Sequence, residues 1–182
     1  MRKIRRTTAI VFGLMLTGAL TAGTALGGGV TASAAGGGGY LLLDTLQASF
    51  SFNAIALPDG SATGRLFHSV EFQGQLIEFE GRVTCITMDP ENHRAWIGGV
   101  VTANNSEHPA FVTERHQVGR DIWFRVLDSG EGATADADRT TFVGFEGDAG
   151  IITSQEYCDV QPWPDDNART NAVNVGNLKV HD

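Results

Sequence analysis

From Ala48 to Val101 apolar and polar residues alternate with a period of two, the pattern of strands that bury one face and expose the other. Phe50, Phe52, Ala54 and Ala56 share one face of the first run, with Gln47, Ser49, Ser51 and Asn53 opposite. Pro58-Asp59-Gly60 ends it in a turn, because proline presets φ and glycine accepts positive φ. Leu66, His68, Val70 and Phe72 form the inner row of a second strand. After Gln73-Gly74-Gln75 a long third strand carries Ile77, Phe79, Gly81, Val83 and Cys85 inward, with Glu78, Glu80, Arg82 and Thr84 outward. Asp89-Pro90-Glu91-Asn92 turns the chain into a fourth, whose inner row is Ala95, Ile97, Gly99 and Val101. Together these predict a four-stranded antiparallel meander.

The signal is fainter downstream. Ala110 to Gln117 predicts a fifth strand and Asp121 to Leu127 a sixth, the latter with Ile122, Phe124 and Val126 inward. Asp128 to Asp138 reads as a glycine- and acid-rich loop, and Arg139 to Phe145 as a seventh strand. Ile151 to Cys158 fits a strand or a short helical turn, Pro162-Trp163-Pro164 forbids regular structure, and Leu178 to Val180 suits a last edge strand. Seven or eight short strands joined by tight turns indicate an all-β antiparallel fold, either a small β-barrel or a β-sandwich. The barrel is favoured, because closure removes sheet edges and Gly81 and Gly99 in the inner rows supply the bends it needs.

Ahead of this pattern stands a basic start (Arg2, Lys3, Arg5, Arg6), an apolar stretch from Ala9 to Leu20, and Ala32-Ser33-Ala34. These are the parts of a secretory signal peptide over residues 1–34, cleaved between Ala34 and Ala35. The tract Gly36 to Gly39 then reads as a flexible spacer within 35–45, and 46–182 as a single β domain. Thr7-Thr8-Ala9 after the arginine pair favours the general secretory route over twin-arginine export. With no cysteine near the cleavage site and no later stretch of ~20 apolar residues, a released, secreted product is expected.

Export also changes the charge. The chain has 13 Lys and Arg against 21 Asp and Glu, a formal net charge of −8; removal of the leader's four cations makes it −12. No Lys or Arg cluster follows the leader, so nucleic acid and anionic membrane surfaces are poor partners. Cys85 and Cys158 enter an oxidising compartment, where one disulfide is favoured over two buried thiols.

Three runs, Gly81-x-Val83-x-Cys85, Ala95-x-Ile97-Gly98-Gly99-Val100-Val101 and Phe124-x-Val126-x-Asp128-x-Gly130-Glu131-Gly132, give the segment from Ala48 to Cys158 a resemblance to a loose family of exported bacterial β-rich proteins. The resemblance implies a shared fold and a shared pair of cysteines. It implies no activity, and no site residue is transferred through it.

Candidate chemistry is sparse. Glu78 and Glu80 share a strand face, a spacing that would suit paired glycosidase acids, but Arg82 continues the row as on an ordinary solvated face. Glu114-x-His116, Glu107-His108 and the group Asp89, Glu91 and His93 offer metal-ligand types without a metal-site spacing. The loop from Asp128 to Gly132, with Asp136 and Asp138, has calcium's oxygen ligands out of EF-hand order. No catalytic residue, metal ligand or cofactor is assigned.

His68 stands out as a polar residue in an inner row, either satisfied by a backbone carbonyl or serving as the polar handle of a barrel lumen. Trp96 and Trp123, opposite the inner rows and beside Arg94 and Arg125, pack beneath loops or mark a recognition patch. The expected function is non-catalytic binding of a small apolar ligand by His68, Phe52, Phe72 and Phe79 inside a secreted barrel. The alternatives are a protein-interaction or cell-envelope module, and a barrel isomerase or hydrolase using Glu78, Glu80 or His68.

Overall fold

The computed structural model, which describes residues 32–132 and 134–181, opens on a strand that the alternation does not announce, β1 (Ala32–Leu42). The four expected strands follow as β2 (Leu46–Ala56), β3 (Ala62–Phe72), β4 (Gln75–Asp89) and β5 (Arg94–Asn104), each antiparallel to its predecessor. β6 (Asp121–Leu127) then pairs back onto β5. Two short strands, β7 (Arg139–Thr140) and β8 (Gly144–Phe145), a helix α1 (Ser154–Val160) and a long β9 (Asn171–His181) complete the chain. The order around the sheet is β5-β4-β3-β2-β1-β9-β7-β6, and the β5–β6 pairing closes it into an eight-stranded barrel with β8 outside, attached to β6. Closure decides for the barrel over the sandwich.

The glycine tract is a wall strand, not a spacer. β1 pairs with β2 along one edge and with β9 along the other, so the sheet begins at Ala32 instead of 46. Backbone ladders need no side chains, and here close approach forbids them. Gly38 faces Gly176 at positive φ, and a Cβ on either would strike the carbonyl oxygen of the opposite strand. The expected leader lies outside the described residues apart from its last three, Ala32–Ala34, which pair with Ala54–Ala56. β9 is correspondingly more than an edge strand, having a neighbour on each side.

Most inner rows are as expected, and Gly81 and Gly99 both sit beside register shifts. One row changes face. Val83 pairs with Gly99 and Cys85 with Gly98, which leaves Thr84 as a bulge residue. One extra residue reverses the side on which every later side chain falls. Cys85 therefore points outward, while Ile86 and Met88 pack against the core. On the outside Cys85 is joined to Cys158 of α1 by a disulfide, with Cα atoms 6.3 Å apart. Gly98 makes the seat for that helix, since a Cβ there would meet the Cys85 sulfur and Ser154. Thr153 caps the helix by accepting from Glu156 N, and Asp121 Oδ1 accepts from Ser154 N (2.8 Å) and Oγ (2.6 Å).

The expected seventh strand is broken into β7 and β8, which pair with different stretches of β6. β7 gives β9 only two register positions. Along the rest of that seam side chains take over as acceptors. Asp138 Oδ2 accepts from Leu178 N (2.7 Å), Asp128 Oδ2 accepts from Val180 N (3.1 Å), and the Asp138 carbonyl accepts from Val173 N (2.7 Å). The acidic loop is thus a closing element of the wall, and Asp138 is only 7 % exposed.

Two stability effects are expected. Asp138→Ala leaves the amides of Leu178 and Ser129 without their acceptor and costs about 2–4 kcal/mol in urea unfolding, whereas Glu131→Ala, at the exposed rim of the same loop, leaves the midpoint unchanged. Replacing both cysteines by serine opens a loop with a sequence separation of 73 and lowers stability by roughly 4 kcal/mol in guanidinium titrations.

Candidate functional site

Alternation on β1, β2, β3 and β6 turns Tyr40, Phe50, Phe52, His68 and Phe124 into the barrel. Their rings are in contact. His68 lies 5.9 Å from Phe50 and 5.0 Å from Phe124, Phe52 lies 5.1 Å from Phe124, and Tyr40 lies 5.8 Å from Phe50. His68 is 0 % exposed, and neither ring nitrogen has a hydrogen-bond partner among the described residues. Burial pushes its pKa down to about 3, so the imidazole is neutral at physiological pH. The Tyr40 hydroxyl is likewise buried without a partner among the described residues, and burial raises its pKa. Native interiors rarely leave such groups unpaired, so two buried, unpartnered polar groups on either side of Phe50 are the first functional pointer.

One end of the barrel is capped. Pro109–Phe111 and Glu114–His116 form two 3-10 turns in place of the expected fifth strand. Pro109 has no N–H to give a sheet, and Asn104 Nδ2 captures the carbonyls of Phe111 (2.8 Å) and His116 (3.0 Å), folding the segment over the opening. Phe111, His116, Phe145 and Phe79 stack there as a plug. His116 is bonded through Nδ1 to Thr113 Oγ1 at 2.8 Å, while its Nε2 is buried and unpartnered among the described residues. Burial, helped by the Arg115 charge and opposed by Asp148, keeps its pKa below the usual histidine range.

Between β7 and β8 the residues Thr141–Val143 leave the strand: Thr141 still holds to β6, its N donating to the Arg125 carbonyl (3.0 Å) and its Oγ1 accepting from Arg125 N (3.0 Å), and the Phe142 ring lies 6.1 Å from that of His68. Outside, the same residue lines a pocket of about 470 Å³ with Leu42, Trp123, Tyr157, Trp163 and Arg169. Trp123 and Tyr157 are stacked at 5.5 Å, and the Arg169 guanidinium lies over Trp163 at 4.5 Å. Arg125 positions this rim: buried in the wall, it donates to the carbonyls of Trp163 and Asp166, and its pKa is lowered chiefly by burial. Trp96 is sealed beneath the same loop, with Nε1 donating to the Pro162 carbonyl at 3.0 Å. Trp96 and Trp123 are 0 % and 3 % exposed, so neither forms an open recognition patch.

Of the four expected ligand-binding residues, His68 and Phe52 meet at Phe124, Phe79 belongs to the plug, and Phe72 sits at the rim against His108. Glu78 and Glu80 lie on the outer face, so they do not converge with His68. The Asp89 carboxylate is used by Asn92, and Glu114 is paired with Arg120 while His116 points into the plug. Among the described residues no three His, Cys, Asp or Glu side chains group as a metal site requires.

No family model, curated protein or solved structure matches the chain. The chemistry of the site itself is therefore the guide to function. Sequence reasoning misses Tyr40, Phe142, Tyr157 and Trp163. Trp163 between two prolines is the available signal, since a large ring in a rigid loop is costly to leave unpacked.

His68 makes stability depend on pH. Its folded-state pKa is depressed, so its contribution is full above the unfolded value of 6.5 and is lost as pH falls toward about 3. Between pH 7 and 5 this amounts to about 2 kcal/mol, an order-of-magnitude figure from linkage. His68→Phe should flatten the fall in urea-unfolding free energy over that interval by about this amount.

Proposed function

We propose that the protein is an exported, non-catalytic binder of a small, uncharged, largely apolar molecule carrying one hydrogen-bonding group. The ligand rests in the aromatic pocket at the seam and turns its polar group inward, past Phe142, toward His68 and Tyr40. One observation carries the reading: Phe142 is a lining residue of the pocket, and its ring lies 6.1 Å, centroid to centroid, from a buried imidazole without partners among the described residues. The pocket's size is in the range of small-ligand sites, and its aromatic lining with a few polar groups at the rim is their usual composition. A neutral ligand is favoured because the interior around His68 holds that ring uncharged and offers no counter-charge. The Cys85–Cys158 bridge supports a place of work outside the reducing cytosol.

The reading is tested with N-phenyl-1-naphthylamine, a neutral aromatic amine whose emission rises in apolar surroundings. Saturable binding to the wild type is expected. Ala168→Trp, at an exposed position on the pocket lining, should weaken binding at least tenfold without moving the thermal midpoint. His68→Phe should weaken it several-fold by removing the polar handle. Equal affinity in the Ala168 variant, or no saturable binding by the wild type, overturns the proposal.

A further inference from the structure

Nine basic residues follow the leader, eight arginines and Lys179. Arg94, Arg115, Arg120, Arg125, Arg139 and Arg169 each reach a carboxylate, carbonyl, amide or hydroxyl group, and Lys179 reaches Glu131. Of these nine, all among the described residues, Arg65 and Arg82 alone have no side-chain partner there, and these two face each other directly across β3 and β4. In so acidic a chain carboxylates are abundant, yet among the described residues neither guanidinium makes an ion pair, although Glu80 lies two residues from Arg82 on the same strand face. Like charges in direct cross-strand register work against a sheet.

The pair lines a concavity of about 1000 Å³ that also includes the outer-face residues Asn53, Phe67, Glu80 and Thr102 and the inner-row residues Phe52 and Leu66. It lies half-way round the barrel from the β7–β9 seam, so it is separate from the aromatic pocket. We infer that Arg65 and Arg82 form a binding site for a single tetrahedral oxyanion, a phosphate or sulfate group free or esterified to a small molecule.

Directly opposed Cβ atoms are about 5 Å apart, so two guanidinium forks on such stems can grip one oxyanion from both sides. A dianion neutralises both charges at once and relieves their repulsion. Asn53 already uses Oδ1 to accept from Arg65 N at 3.1 Å, which leaves its amide NH₂ to donate at the margin. Glu80, beside Arg82 on the same face, limits the site to one anionic group. The acidic remainder of the surface repels extended polyanions, which favours a small ligand over a polymer.

The test uses inorganic phosphate, sulfate and glycerol 3-phosphate at fixed ionic strength, with calorimetric titration and thermal unfolding as readouts. At ten times its Kd the bound anion should raise the wild-type Tm by about 3 °C. Arg65→Gln and Arg82→Gln should each weaken binding at least tenfold. In anion-free buffer of low salt both variants should melt at or above the wild-type temperature, because a repulsion has been removed. Stronger binding of the ester assigns the site to a phosphorylated small molecule, and stronger binding of the free ions assigns it to the ions; either supports the inference. Wild-type affinity in the Arg82 variant overturns it, as does an equal Tm rise with chloride. A lower anion-free Tm in both variants also overturns it, since that would make the arginines structural.

Discussion

Closing a sheet on itself requires acceptors and donors at the last seam, and here the chain runs short of strand. β7 supplies two residues where the neighbouring β9 supplies eleven. The carboxylates of Asp128 and Asp138 stand in for missing backbone carbonyls and satisfy the amides of Val180 and Leu178. Charge-assisted bonds of this kind are stronger than neutral ones, and the burial of Asp138 keeps water from competing. Everything else in the barrel, including the inward rows that bury His68, presupposes that this seam stays shut.

The same shortage of strand creates the site. Where β7 stops, Thr141–Val143 leaves the strand, tied to β6 only through Thr141 and Arg125, and Phe142 packs its ring against the core near His68. α1 and the loop after it then build a second layer over β4, β5 and β6. They are fixed by the disulfide at Cys85, by the glycine seat at Gly98 and by the hydrogen bonds from Arg125.

Legibility in the sequence rests on periodicity. β2, β3 and the first half of β4 are readable because one face is solvated and the other buried, which imprints alternation, while β5 is readable from Ala95, Ile97 and Val101 although its outer face is covered as well. The face of Cys85 is not, since a single bulge residue at Thr84 leaves no compositional mark but inverts the facing of every residue after it in β4. β1 hides because glycines carry no hydropathy pattern, although their backbone groups pair as well as any. The cap looks like a strand in the sequence because the capture of its carbonyls by Asn104 is a tertiary event. His68 is conspicuous because polarity within an apolar row is a local contradiction. Tyr40 is obscured by the glycine tract beside it, and Phe142 and Trp163 owe their roles to neighbours distant in sequence.

The β1–β9 pairing sets Ala35 beside Lys179. That contact spans nearly the whole described chain, so its loop-closure entropy is the largest in the fold. The meander from β2 to β5 can zip locally, but β1 keeps one open edge until the final eleven-residue strand arrives. Until β9 is made, the nascent β1–β5 sheet would therefore be unclosed and curved, exposed to β-strand donors from other molecules, and β9 converts it into a barrel.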